Sequence, residues 1–182
     1  MPTSTWNFTV SRRHPAIRYA IHRPELCVEH GRTGGVGDAA ATDQIQANIA
    51  EAHAYYDALV STEVATGEPM NPRGALIGFF IDRFREKGKW DYKSNYANGT
   101  EDQRLARVFG NFNFGAVLES FGLDYTVTQS AAGATQILIC GTGGSCGTGV
   151  PFISAPFGDQ AVDSVDIMKG SIYAYREIHG CR

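Results

Sequence analysis

TEDQRLARVFGNFNFGAVLESFG, residues 100–122, contains both a helix start and a helix stop. Thr100 and Gln103 form a capping box, in which the threonine hydroxyl accepts a hydrogen bond from a backbone N–H of the first turn. Apolar residues then recur at helical spacing, and Gly122 marks the end. The positions predicted to be buried are Leu105, Val108, Phe109 and Phe112, followed by Val117, Leu118 and Phe121 on a further turn or two. We expect the run 110–115 to interrupt the helix, because glycine and asparagine favour turns.

Helical patterns continue on both sides of this stretch. One helix is predicted to start at Thr42, and another opens at Asn71-Pro72 and stops at Gly88. Downstream, residues 129–140 and 163–177 are also predicted to be helices. The sequence therefore predicts a mainly α fold, a single helical domain of about five helices with long functional loops. An α+β fold is the alternative, because a short N-terminal strand is indicated by alternation at Trp6, Phe8 and Val10.

The length and composition suit one domain. The chain has 182 residues, 43% of them hydrophobic, which is enough to build a core. Prolines and a glycine cluster make the start of the chain irregular as far as Asp38. We therefore divide it into an N-terminal arm or linker, residues 1–38, and a catalytic domain, residues 39–182.

The charge is mildly acidic, with a net charge of −3. Avid nucleic-acid binders usually carry a basic surface, and the whole chain has none. Residues 12–23 do cluster arginines and histidines, which are typical of a solvated arm. The first ten residues lack the apolar core of a signal peptide, and no segment is apolar enough for a membrane span. Action outside the producing cell would require a specialised secretion system.

The cysteines and glycines match no cofactor motif. The chain has four cysteines, Cys27, Cys140, Cys146 and Cys181, and the sequence is compatible with either disulfides or free thiols. Their spacing fits no zinc site. Neither a phosphate-binding Walker loop nor a dinucleotide-binding glycine motif is present. We predict no metal and no cofactor.

Three segments have residue types suited to chemistry. The first, residues 89–93, places Trp90, Asp91, Tyr92 and Lys93 on a loop, where functional residues are often found. It combines an aromatic platform, a carboxylate and an ammonium group. The ordinary structural alternative is a packed tryptophan beside a surface Asp–Lys pair.

The second segment, residues 109–115, offers the amide groups of Asn111 and Asn113, which suit sugar hydroxyls or base edges. Its structural alternative is a tight turn. In the third segment, residues 157–163, Asp159 and Asp163 precede Asp166 at helical spacing, which makes an acid/base pair possible. The structural alternative there is a capped helix N-terminus.

Together these segments resemble the bacterial polymorphic toxin type 44 family. The matching motifs are KGKWDYK at 87–93, FGNFNFGA at 109–116 and FGDxxxD at 157–163, the last followed by Ile-x-x-Gly and tyrosines as far as Tyr175. The resemblance covers roughly residues 42–176. This chain has DQAVD at 159–163 where members resemble DDPxD, and it has extra residues between the first two motifs. Family members are C-terminal toxic domains of secreted effectors that compete with other bacteria, and each is usually opposed by a cognate immunity protein.

Three functions are compatible with these residues. The first is a hydrolase that cleaves the glycan of peptidoglycan, using two carboxyl groups chosen from Asp91, Asp159 and Asp163. Trp90 would then stack on the sugar, and the asparagines would hold it. The second is a ribonuclease toxin of the target cytoplasm, with Lys93 on the phosphate, an aspartate as base and the 12–23 cluster steering RNA. The third is a non-catalytic wall-binding module.

Overall fold

A computed structural model describes residues 39–68, 71–123, 125–141 and 160–179. These residues form five α-helices and one 3₁₀ turn, without a strand among them: α1 Ala39–Thr66, α2 Pro72–Phe84, the 3₁₀ turn Tyr92–Asn95, α3 Glu101–Ser120, α4 Tyr125–Gly141 and α5 Ala161–His179. The prediction of a mainly α fold with about five helices is confirmed. The arm predicted for residues 1–38 lies outside the described residues. None of the described helices has both the length and the apolar character that crossing a membrane requires.

The glycine–asparagine run at 110–115 does not break α3, which is continuous from Glu101 to Ser120. The predicted interruption is therefore wrong. The predicted cap is confirmed, because Thr100 Oγ1 accepts a hydrogen bond from the Gln103 backbone N–H at 3.2 Å. Gly122 follows the helix end with φ +75°, a left-handed conformation that favours glycine.

Two glycines bring the backbones of α3 and α5 into direct contact. A Cβ atom at Gly115 would overlap the carbonyl oxygen of Ile167, and one at Gly170 would overlap the carbonyl oxygen of Phe112. Ser171 Oγ donates a hydrogen bond to the Gly115 carbonyl at 3.3 Å. Here glycine permits close packing of two helices rather than a turn, so packing overrides its low helix propensity.

Helix α3 lies at the centre of the molecule, between two groups of core residues. The first group joins α1, α2, α3 and the loop before the 3₁₀ turn, and consists of Ala52, Leu76, Phe79, Phe80, Trp90, Val117 and Leu118. The second joins α1, α3 and α5, and consists of Ile45, Phe112, Ala116 and Ala174. Because α3 contributes to both groups, its polar residues are held against several neighbouring elements.

The helix ends differ slightly from the expected ones. Asn71 caps α2 as predicted, since its side chain accepts from the Gly74 N–H at 2.9 Å. The last residue of α2 is Phe84, however, rather than a residue next to Gly88. Helix α1 begins at Ala39 instead of Thr42, and α4 begins at Tyr125, before the predicted residue 129. Helix ends fray and their last turn is often 3₁₀, so local signals specify the ends of a helix less sharply than its middle.

Substitution of Gly115 by alanine tests the backbone contact. Gly115→Ala is expected to lower the free energy of unfolding by about 3 kcal/mol, because the new methyl group must push α5 away. Gly78→Ala in α2 is the matched control, since a Cβ there meets no atom within 4 Å. The control should stabilise by up to about 1 kcal/mol, the difference in helix propensity. Urea unfolding followed by circular dichroism measures both changes, and an unchanged Gly115→Ala stability would contradict the contact.

Candidate functional site

Trp90 lies in the core and is only 2% exposed. Its ring packs edge-on against Phe84 and Phe79, with centroid distances of 5.0 and 5.6 Å. Its backbone N–H donates to the Arg83 carbonyl at 2.8 Å, which ties the loop to the end of α2. The side chain is therefore not available as the sugar-stacking platform that we predicted, and the packed-tryptophan alternative describes it.

Asp91 is also buried, and one of its carboxylate oxygens closes the loop around it. Asp91 Oδ2 accepts hydrogen bonds from the Lys87 backbone N–H at 2.8 Å and from the Ser94 hydroxyl. Lys87 has φ +60°, so this bond holds an unfavourable backbone conformation in place. The observed contacts of Asp91 are those of a structural clamp, and its predicted catalytic role stays a prediction.

Tyr92 and Asn113 meet at Asn48 of α1, a residue that the sequence did not single out. The Asn48 side-chain amide donates to the Tyr92 hydroxyl at 2.7 Å and to Asn113 Oδ1 at 2.9 Å. Its own oxygen accepts from Gln44 at 3.0 Å. Asn113 is fully buried, so neither it nor Asn48 lies on the surface. This network holds the 3₁₀ turn against α1 and α3.

The Tyr92 phenol is perturbed by this environment. Burial raises its pKa above the ordinary value of 10.0, the hydrogen bond from Asn48 opposes that rise, and the charge of Glu51 adds to it. The hydroxyl is therefore protonated at neutral pH, and its oxygen accepts a hydrogen bond from the side-chain N–H of Asn48.

Lys93, next in the chain, faces an open groove of about 380 Å³ at the start of α3. Three of the lining side chains are cations, Lys93, Arg104 and Arg107, and one is a carboxylate, Glu101. Arg104 Nε donates to Glu101 at 2.7 Å and Asp163 lies 3.6 Å from Arg107, so the charge of Lys93 is left in excess. The other lining residues are Gly99, Thr100 and Gln103. The groove is thus locally basic in a chain that is acidic overall, and its charge suits an anionic ligand.

Asp163 of α5 borders this groove through Arg107. The Arg107 guanidinium lies 3.6 Å from Asp163 Oδ1, and the aspartate side chain is only 14% exposed. That oxygen is buried and accepts no hydrogen bond from the described residues. Asn111, one helical turn after Arg107, has a buried side-chain nitrogen that likewise has no acceptor among the described residues. Residues four apart share a helix face, so Asn111 lies on the same face of α3 as Arg107.

Asp166 lies three residues after Asp163 on α5. It is 6% exposed, and Lys169 of the same helix lies 3.2 Å from its carboxylate. Its charge also acts on Arg104, so both aspartates are near cations of the groove. Asp159, the remaining carboxylate predicted to be catalytic, lies outside the described residues, as do the 12–23 cluster and Cys27, Cys146 and Cys181.

The sequence contained signals for some of the residues that were missed. Asn48 lies at helical spacing between Ile45 and Ala52, and a polar residue on an apolar face indicates a buried hydrogen bond. Arg104 lies near the N-terminus of a helix, where the dipole disfavours cations and a functional reason is therefore worth seeking. Comparison of the chain with models of known families, with curated proteins and with solved structures finds no match.

Alkaline unfolding tests the buried Tyr92 hydroxyl. Because its pKa is raised in the folded state, it contributes stability that is complete below pH 10.0 and is lost as the pH rises through the folded pKa. The free energy of unfolding of Tyr92→Phe should therefore fall less steeply above that pH than that of the wild type. Tyr173→Phe should act in the same direction, since burial raises the pKa of Tyr173 as well. Urea unfolding across this pH range measures the slopes, and equal slopes for all three proteins would contradict the prediction.

Proposed function

We propose that this protein is an antibacterial effector toxin domain that cleaves RNA, with its reaction centre where Arg107 meets Asp163. The observation that carries the proposal is the basic groove of Lys93, Arg104 and Arg107, with a buried carboxylate beside it. RNA is a polyanion, and arginine binds its phosphates by paired, charge-assisted hydrogen bonds.

Each side chain has a role in the proposed reaction. Lys93 and Arg107 bind the non-bridging oxygens of one phosphate and stabilise the negative charge that grows on them. The Asp163 carboxylate, whose side chain is 14% exposed, takes the proton of the ribose 2′-hydroxyl. The 2′-oxygen then bonds to phosphorus, the bond to the 5′-oxygen breaks, and water protonates the leaving oxygen. The products are a 2′,3′-cyclic phosphate and a 5′-hydroxyl end.

Cleavage of the peptidoglycan glycan is the second candidate, although the sequence ranked it first. It is favoured by Asp163 and Asp166, two largely buried carboxylates three residues apart on one helix. Glycoside cleavage needs such a pair. Two side chains that were expected to hold the sugar, Trp90 and Asn113, are buried. The positive charge of the groove serves no evident purpose with a neutral glycan, and for these reasons we favour RNA.

The biological setting rests on the resemblance to the polymorphic toxin type 44 family. We propose that a specialised secretion system delivers the domain as a secreted effector into a competing cell. The cytoplasm is its place of action if RNA is the substrate, and the periplasm if peptidoglycan is. A cognate immunity protein in the producer is the proposed partner.

Asp163→Asn tests the catalytic assignment. The purified variant should cleave RNA at least about 100-fold more slowly, because the amide accepts no proton. It should bind RNA as tightly as the wild type or more tightly, since a negative charge has left the groove. Asp82→Asn is the control, an exposed aspartate of α2 that should leave the rate unchanged. Equal cleavage rates in Asp163→Asn and the wild type would remove Asp163 from the mechanism. Tight RNA binding without cleavage by the wild type would indicate a binding module.

Expression in a bacterial host, with and without a periplasmic export signal, separates the two candidates. RNA cleavage predicts growth arrest from the unexported protein, accompanied by loss of cellular RNA. Arrest only on export, with glycan fragments released from the wall, would overturn the proposal in favour of peptidoglycan. The Asp163→Asn variant, expressed in parallel, should relieve the arrest.

A further inference from the structure

Tyr96 is an exposed aromatic residue in the segment between two residues that line the basic groove. Its side chain is 47% exposed, and it is the one aromatic residue among the large exposed hydrophobic residues of the described part of the chain. It lies between Lys93 and Gly99, both of which line the groove. It is three positions along the chain from each, so its backbone is within about 11 Å of both.

Hydrogen bonds hold the segment that carries this ring. The Tyr96 backbone N–H donates to the Lys93 carbonyl at 3.3 Å, and the Thr100 hydroxyl donates to the Ala97 carbonyl at 2.7 Å. The Gln103 side chain of α3 donates to Asn98 Oδ1 at 2.6 Å and accepts from the Gly99 N–H at 2.8 Å. The ring is therefore mounted on a backbone that is fixed to the start of α3.

An exposed aromatic residue three positions along the chain from a cation of the groove matches the two chemical parts of a nucleotide. The cations suit the phosphates, and an aromatic ring suits the flat face of a base. Stacking of this kind requires a base that is free of its neighbours, as in a single strand, whereas duplex RNA keeps its bases stacked inside the helix. We propose that Tyr96 is a stacking platform for an unpaired base, and that the groove selects single-stranded RNA. This inference rests on the proposed function and specifies its substrate.

Binding measurements on substituted chains test the platform. The full chain carrying Asp163→Asn, which leaves the probe uncut, is titrated with a labelled single-stranded oligoribonucleotide, with the same strand in a duplex, and with inorganic tripolyphosphate. When Tyr96→Ala is introduced into this Asp163→Asn chain, binding of the single strand should weaken about five- to 150-fold, the range expected for loss of one stacked base. Binding of the duplex and of tripolyphosphate should not change. Tyr96→Phe, which keeps the ring, is the matched control and should bind like its parent.

Lys93→Ala supplies the contrasting pattern, because loss of a phosphate contact should weaken binding of all three probes. Unchanged single-strand binding in Tyr96→Ala, or an equal loss with every probe, would overturn the stacking role. So would a Tyr96→Phe variant as weak as Tyr96→Ala. If the wild type cleaves RNA while Tyr96→Ala binds normally, only the stacking inference fails. If the wild type neither binds nor cleaves RNA, the proposed function and the inference both fail.

Discussion

Two helix backbones touch where Gly115 of α3 meets α5 and Gly170 of α5 meets α3. Any larger residue at either position would place a Cβ on the carbonyl oxygen of the opposite helix. Because protein interiors are closely packed, this contact sets the distance between the helices and leaves little freedom for either to shift. It also determines which side chains meet near the crossing. Arg107 of α3 comes to lie 3.6 Å from Asp163 of α5 in this way.

Two buried polar side chains in this part of the molecule, Asp163 and Asn111, have an energetic cost. Asp163 Oδ1 and Asn111 Nδ2 are buried with no hydrogen-bond partner in the described part of the chain, and each such group costs about 1–3 kcal/mol. Arg107 offsets part of the cost for the carboxylate by its charge alone, since the 3.6 Å separation is longer than a hydrogen bond.

In the loop before α3, residue types that are suited to chemistry have structural roles instead. Trp90 packs into the core, Asp91 closes its own loop, and Tyr92 is held by Asn48. Their combined effect is to present Lys93 and Tyr96 on a backbone anchored at several points. A rigid support of this kind keeps a binding group in place without further loss of entropy when a ligand arrives.

The sequence by itself determined the helical class, the number of helices and the caps at Thr100 and Asn71, because these depend on residues close together in the chain. It also identified Lys93 and Asp163 as groups suited to chemistry. Only the tertiary structure decided that 110–115 is helical, since that depends on the backbone of α5, distant in sequence. Only it decided that Trp90 and Asn113 are buried and that Arg107 stands beside Asp163. The bonds from Asn48 of α1 to Tyr92 and Asn113 were likewise decided by the tertiary structure. Burial and pairing are properties of contacts between distant segments, and the spacing of residues along a chain does not record them.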